Sequence, residues 1–350
     1  MQNKIICGIQ QVGIGVENVE QSWKWYRDNL GFDVKVFGDV GVAERMLPYT
    51  GGKPQPRYAI LVLNLTGGGG FEVWEPRERK LNYPENEFLL GDLGISVCKV
   101  KSSDVDGAYT MLKSRGVDMV TPVGVSSCGL KHFYIRDPWN NLFEIEEDSY
   151  IFLKEKKSTG GVNGVVLGVS DMDKSIGYYG KLLGYDIVKS DVTGVFEDWK
   201  GLPGSEGSFR RVVLESSAPL QGPLCEVLGT SHIELVQALD RVPLKIYEGR
   251  LWGDPGFIHL CFDIKGMEAV RTDAKALGYD FVCDSGVDFD MGEANGHFTY
   301  VEDPDGTLIE FVETFKFPLI KKLGISISLS HRDPVKPLPR LITKALRFLK

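Results

Sequence analysis

Glu310 stands in the run TLIEFVE, residues 307 to 313, which follows the turn residues Asp303, Pro304, Asp305 and Gly306. Side chains of a strand alternate between its two faces, so Ile309 and Phe311 share one face while Leu308, Glu310 and Val312 share the other. One carboxylate is thereby set in the middle of an apolar face. A carboxylate so placed can ligate a metal or carry a proton. Three further glutamates occupy comparable settings: Glu72 in FEVWEP, Glu144 in LFEIEE and Glu234 in SHIELVQ. His259, in FIHLCFDI, adds an imidazole on another apolar strand.

The elements that must position these groups recur along the chain. QQVGIGVENVEQSWKWYRDNLGFDV, from residue 10, returns as NGVVLGVSDMDKSIGYYGKLLGYDI from residue 163. Within these copies Val19, Trp23, Tyr26 and Leu30 match Met172, Ile176, Tyr179 and Leu183, each set forming a stripe along one face of a helix. RDPWNNLFEIEE, from Arg136, returns as EDPDGTLIEFVE, from Glu302, and each is preceded by a strand, a helix and a short strand. The chain therefore reads as four copies of a strand, a helix and several strands.

Composition sets bounds. A hydrophobic content of 43% with 25% charged residues describes a globular protein, and 350 residues allow two or three domains. A net charge of −8 argues against nucleic acid as a partner, because phosphate neutralisation needs a basic face. The six cysteines show no CxxC spacing and read as reduced core thiols of a cytoplasmic protein. The beginning MQNKIICGIQ lacks an apolar export segment, and no run is long enough to span a bilayer. TGGGG, Thr66 to Gly70, lacks the lysine and helix of a phosphate loop and reads as a flexible hairpin connection.

The strand-to-helix openings, the two Asp-Pro turns and the four glutamate-bearing strands resemble the vicinal oxygen chelate superfamily, which groups glyoxalase I, bleomycin-resistance proteins and extradiol dioxygenases. The resemblance implies an α+β fold of four βαβββ modules pairing into two half-open mixed-sheet barrels. Residues 5–150 would hold modules one and two, residues 160–315 modules three and four, and residues 316–350 a basic tail ending in an amphipathic helix. In that superfamily a metal is held in each concave cup by one residue of a module's first strand and one of its last. The corresponding pairs here are Gln11 and Glu72, Gly94 and Glu144, Gly164 and Glu234, and His259 and Glu310. Modules one and four together supply Gln11, Glu72, His259 and Glu310, the set of glyoxalase I enzymes of the Gln-Glu-His-Glu type. Pairing of the first module with the fourth would gather all four in one cup. The other cup, left with Glu144 and Glu234, would be degenerate, its carboxylates paired with cations or protonated.

Three oxygens and one imidazole nitrogen suit one divalent ion, Zn²⁺, Ni²⁺, Mn²⁺ or Fe(II), with two water positions that a substrate's neighbouring oxygens can take. The ion makes a C–H beside a carbonyl more acidic. Glu310 is then expected to be the base and Glu72 its partner across the site. Trp74, Cys261, Phe298 and Tyr300 have the strand parity to line the substrate pocket. In glyoxalase I an arginine four residues after the glutamine, and an asparagine four after the first glutamate, help hold glutathione. Gly15 and Pro76 stand there instead.

The expected function is thus a glyoxalase-like isomerase, epimerase or lyase acting on a small α-hydroxycarbonyl compound, as a monomer or homodimer. A cyclitol or sugar epimerase of the same mechanism is an alternative. So are a non-catalytic binding protein of the bleomycin-resistance kind and an extradiol-type dioxygenase, which needs two histidines and a carboxylate on iron. The tail carries nine lysines or arginines against one acid, Asp333, with Leu338, Leu341, Ile342, Ala345 and Leu349 as a helical stripe. Such a helix can lie on an anionic membrane surface; the acidic excess of the remaining chain favours packing on the protein's own body.

Overall fold

The computed structural model describes residues 3–287, 289–290, 295–320 and 325–350. Four modules follow one another along the chain. The first comprises β1 (Ile5–Gly15), α1 (Val19–Leu30), β2 (Val34–Ala43), β3 (Gln55–Leu63) and β4 (Gly70–Pro76). The second comprises β5 (Gly94–Ser102), α2 (Val105–Ser114), the short β6 (Asp118–Met119) and β7 (Gly124–Val125), β8 (Lys131–Arg136) and β9 (Leu142–Glu147). The third has β10 (Val162–Gly168), α3 (Met172–Leu183), β11 (Ile187–Gly194), β12 (Phe209–Glu215), the four-residue helix α4 (Cys225–Leu228) and β13 (His232–Ala238). The fourth has β14 (Gly256–Lys265), α5 (Met267–Ala276), β15 (Phe281–Asp284), β16 (Phe289–Asp290), β17 (Asn295–Glu302) and β18 (Leu308–Ile320). β19 (Ile325–Ser328) and α6 (Arg340–Lys344) belong to the tail.

Two mixed sheets result, and each takes one module from either half of the chain. In the first the order is β15-β17-β18-β14-β1-β4-β3-β2, with β16 on β17 and β19 on β18. In the second it is β11-β12-β13-β10-β5-β9-β8-β6, with β7 on β8. The first module therefore pairs with the fourth and the second with the third, the crossed arrangement that the ligand pattern favours. Alternation along β1 shows how one strand serves two surfaces: Val12 and Ile14 are buried in the large core while Gln11 and Gly13 face the cup.

Helices α1 and α3 are near-duplicates. Asn18 and Asp171 cap them by accepting from the amides of Gln21 and Lys174, and both end on glycines at φ 74°, Gly31 and Gly184. Tyr26 of α1 donates to Asp137 at 2.9 Å and Tyr179 of α3 donates to Asp303 at 2.8 Å. Each Asp-Pro turn is thereby clasped by the helix of the preceding module. The two clasps tie together modules that lie in different sheets.

Two expectations change. Thr66–Gly70 is a buried contact between the sheets rather than a flexible connection: the Gly69 amide donates to Val162 O at 2.7 Å, and Gly161 donates to Gly67 O at 2.8 Å. A Cβ on Gly68 would meet the backbone of Gly161 at 2.7 Å, so close approach of two chains explains the glycines. The tail does pack on the body, and through part of the expected stripe: Leu338 and Leu349 lie in a buried cluster and Ile342 packs against it, while Leu341 does not take part. Helix α6 has only five residues and passes into a 3₁₀ turn over Ala345–Leu349, so burial recurs every third residue at Thr343, Leu346 and Leu349, while Leu341 is exposed. Lys350 pairs with Asp33 at 3.0 Å and Glu155 at 2.8 Å, and Arg340 with Glu226 at 3.1 Å. No helix among the described residues is long and apolar enough to cross a membrane.

Candidate metal centre

The first sheet brings Gln11, Glu72, His259 and Glu310 together on four neighbouring strands, β4-β1-β14-β18. Gly13 of β1 lies opposite His259 of antiparallel β14 and beside Glu72 of parallel β4, and Cys261 lies beside Glu310. His259 Nε2 is 3.1 Å from Glu310 Oε2 and 3.4 Å from Glu72 Oε2, and Gln11 Nε2 donates to Glu310 Oε2 at 3.3 Å. Glu72, His259 and Glu310 are the one group of three acidic, histidine or cysteine side chains among the described residues that offers ligand atoms within 4.8 Å of one another.

The donor set fits a divalent cation. Gln11 Oε1 is buried without a hydrogen-bond partner, and His259 Nε2 faces only the carboxylates of Glu310 and Glu72, so an amide oxygen and one ring nitrogen are available to a cation. Burial first, and then the neighbouring Glu310, push the Glu72 carboxyl up to about 7. Burial opposes charge on His259, but Glu310 and Glu72 outweigh it and raise the imidazole above its ordinary value. Two carboxylates thus share one imidazole as their nearest cation, and a divalent ion in place of the imidazolium proton would relieve that crowding.

Several surrounding residues make this arrangement possible. Gly13 is required by packing: a Cβ there would lie 2.3 Å from His259 Cε1, because the imidazole crosses directly over β1. Trp252 stacks near-parallel to the imidazole at 6.3 Å, and Tyr300 meets it edge-on at 5.5 Å. Of the side chains expected to line the pocket, Phe298 borders the cavity that Gln11, Glu72 and Glu310 also border. Trp74, Cys261 and Tyr300 are buried next to the ligands as part of the cup's packing and do not border that cavity. Gly15 lies under the loop preceding β14, where a Cβ would meet Asp254 O at 2.1 Å, so no side chain can project from this position.

The second sheet forms the other cup. Its register corrects one position: Glu144 lies beside Lys99 and Glu234 beside Val166, whereas Glu72 lies beside Gly13 and Glu310 beside Cys261. The opening ligand position stands two residues before each of these partners. It is therefore Val97 in the second module, not Gly94, and Gly164 in the third. Neither supplies a ligand. The cup is filled instead by Lys99, fully buried, whose Nζ lies 2.6 Å from Glu234, 2.9 Å from Glu144 and 3.2 Å from Glu146. Arg211 binds Glu234 and Asp198, His132 binds Glu144 at 2.5 Å and approaches Asp198 at 3.3 Å, and His232 approaches Glu146 at 2.8 Å. The ammonium of Lys99 is buried at a cost, yet the three glutamates hold it well above its usual range. Glu144 and Glu234 are thus paired with cations, the first of the two fates open to them.

A model of the glyoxalase/bleomycin resistance protein/dioxygenase superfamily matches residues 8–145 and 161–311. Among solved structures, glyoxalase I from Zea mays aligns over 89% of this chain and 92% of its own, with 17% identity and a TM-score of 0.53. A putative dioxygenase from Bacillus subtilis subsp. subtilis str. 168 aligns over 88% and 85%, with 15% identity and a TM-score of 0.51. No match was found among curated proteins. At such identities the structural likeness bears on the fold alone.

Proposed function

Because the chain belongs to the glyoxalase/bleomycin resistance protein/dioxygenase superfamily, we propose that it is a metal-dependent enzyme that removes a proton beside a carbonyl of an α-hydroxycarbonyl substrate, as an isomerase, epimerase or lyase. The observation that carries this reading is the convergence of Glu72, His259 and Glu310, with the orphaned Gln11 Oε1 beside them. Gln11, Glu72, His259 and Glu310 would hold the ion, which supplies Lewis-acid polarisation of the substrate oxygens. Glu310 would take the proton, and Glu72, on the strand at the other side of the cup, would return one. Cup walls that exclude water strengthen both charges' effect on the substrate. All six cysteines are free thiols, which suits a reducing cytoplasm.

The dioxygenase reading needs a second histidine on the metal. His297 borders the same cavity, but it is not among the side chains whose ligand atoms gather within 4.8 Å of one another among the described residues, which are Glu72, His259 and Glu310. Metal analysis is the direct test. The purified chain is expected to contain about one divalent ion, and His259→Ala to lose most of it by removing the single nitrogen ligand. Two tightly held ions per chain, or full occupancy in the variant, would dismiss the site.

Glutathione is a poor candidate for the substrate's other half. Gly15 has no room for an arginine and Pro76 has no hydrogen-bonding side chain. The hemithioacetal of methylglyoxal and glutathione is therefore expected to turn over at least about 100-fold less efficiently than a substrate that fits, a loss in keeping with removing polar contacts built for a ligand. Rapid lactoylglutathione formation would show that other residues bind the tripeptide.

A further inference from the structure

Beside the ligands the first cup opens into a cavity of about 110 Å³ bordered by Gln11, Glu72 and Glu310 at one end. Its remaining wall is mostly apolar and comes from four separate parts of the chain, the fourth module giving Phe298 and Val312. Phe37 and Leu61 belong to the first module, Leu224 and Leu228 come from around α4 of the third, and Leu346 comes from the tail. Leu346 is fully buried although its neighbours Arg347 and Phe348 are exposed. The segment that carries it is anchored on both sides. The Leu338 amide donates to Pro223 O at 2.9 Å, Arg340 pairs with Glu226, and Lys350 pairs with Asp33 and Glu155.

The polar side chains of this wall outside the ligand set are largely committed. Gln10 donates to Asp263 at 3.2 Å, Thr314 donates to the same carboxylate at 3.5 Å, and His297 is held by Asp284. Asn295 is the remaining one among the described lining residues. A polyol placed here would lose water from each hydroxyl and find few partners, a penalty of about 1–3 kcal/mol per unpaired group in mutational terms. An apolar group meets no such penalty. A hydrocarbon-lined cavity of about 150 Å³ accepts benzene, so the space suits a group between a short branched alkyl chain and a phenyl ring.

We propose that the substrate carries an apolar group of this size next to its chelating oxygens, and that the C-terminal segment, through Leu346, is the wall that selects it. The proposal rests on the metal-chelating role of the first cup for the position of the oxygens. It departs from a sugar-like or cyclitol substrate, whose hydroxyls this wall does not serve.

Binding of two small α-hydroxyketones to the full-length, metal-loaded chain separates the cases: 2-hydroxyacetophenone, with a phenyl group, and 1,3-dihydroxyacetone, without one. Calorimetric titration is expected to give at least about 100-fold tighter binding of the aryl ketone, as burying one aromatic ring implies. Leu346→Ala is expected to weaken the aryl ketone about 5- to 10-fold and leave dihydroxyacetone unchanged. Leu346→Met, which conserves volume, should restore the affinity, and the exposed Leu341→Ala should not alter it. Equal affinities for the two ketones, or a Leu346→Ala variant that retains metal and binds the aryl ketone as the parent does, would overturn the proposal. Binding is read without turnover, so absence of proton exchange counts against the proposed reaction and leaves this assignment standing or falling by its own measurement.

Discussion

Glu310→Gln is expected to lower solvent-deuterium exchange at the carbon beside the carbonyl by roughly 10²–10⁴-fold, the usual worth of a positioned general base. The amide keeps an oxygen that can face the ion and keeps the volume that fills the position beside Cys261. Partial metal retention is therefore expected, with the fold unchanged. The distinction from His259→Ala is the diagnostic: one variant loses the reaction with metal still present, the other loses the metal. A Glu310→Gln enzyme that exchanged deuterium at the parent rate would move the base to Glu72, which shares the site from β4.

Lys99→Met is expected to destabilise the protein by about 3–5 kcal/mol, the range seen when one member of a buried ion pair is removed. Methionine has nearly the volume of lysine but leaves Glu144, Glu146 and Glu234 without the ammonium that lies between them. Urea unfolding with chelator present reads the loss, since a divalent ion could otherwise enter the emptied position. A shift under about 1 kcal/mol would mean that a glutamate takes up a proton in place of the lysine. The same cup carries a pH signature. His132 faces Glu144, Asp198 and Lys99, and although burial disfavours its charge, the two carboxylates hold it up to about 9. A raised histidine contributes its full stability below its ordinary value near 6.5 and loses it as pH rises through about 9. Alkaline destabilisation in that window is expected in the parent and should be blunted in His132→Gln.

Glu310 was legible because an alternating strand makes a lone carboxylate conspicuous, and the repeat then located Glu72, Gln11 and His259 by register. Pairing of distant modules was legible for the same reason, since only one arrangement gathers all four candidate ligands, Gln11, Glu72, His259 and Glu310, in one cup. What remained hidden depends on neighbours that are far away in sequence. Gly13 looks like any strand glycine until the imidazole of His259 is seen crossing it. Lys99 reads as a polar residue of an alternating strand, and its three carboxylate partners come from β9 and β13. Val97 was missed in favour of Gly94 because the repeat fixes modules to within a few residues, whereas a strand register is set by pairing. In the tail, Leu338, Ile342 and Leu349 are legible as an inward stripe, whereas Leu346 joins them because the chain winds at about 3.0 residues per turn from Ala345 onward.

The crossed arrangement of modules also sets an order of events during synthesis. Gln11 and Glu310 are 299 residues apart, so at about 5–20 residues per second β1 emerges on the order of 15–60 s before the last ligand strand. Until β14 is made, which is most of that interval, the edge of β1 that pairs with it has no partner. The lysine-filled cup needs only the second and third modules, which are consecutive, and it is complete while the fourth is still being made. A nascent chain can therefore close one sheet without any ion, and this closed sheet is the platform on which the first and fourth modules later meet. The four side chains of the first cup meet only once the fourth module is complete, so an ion held there would enter a finished protein, and metal scarcity would not stall the nascent chain.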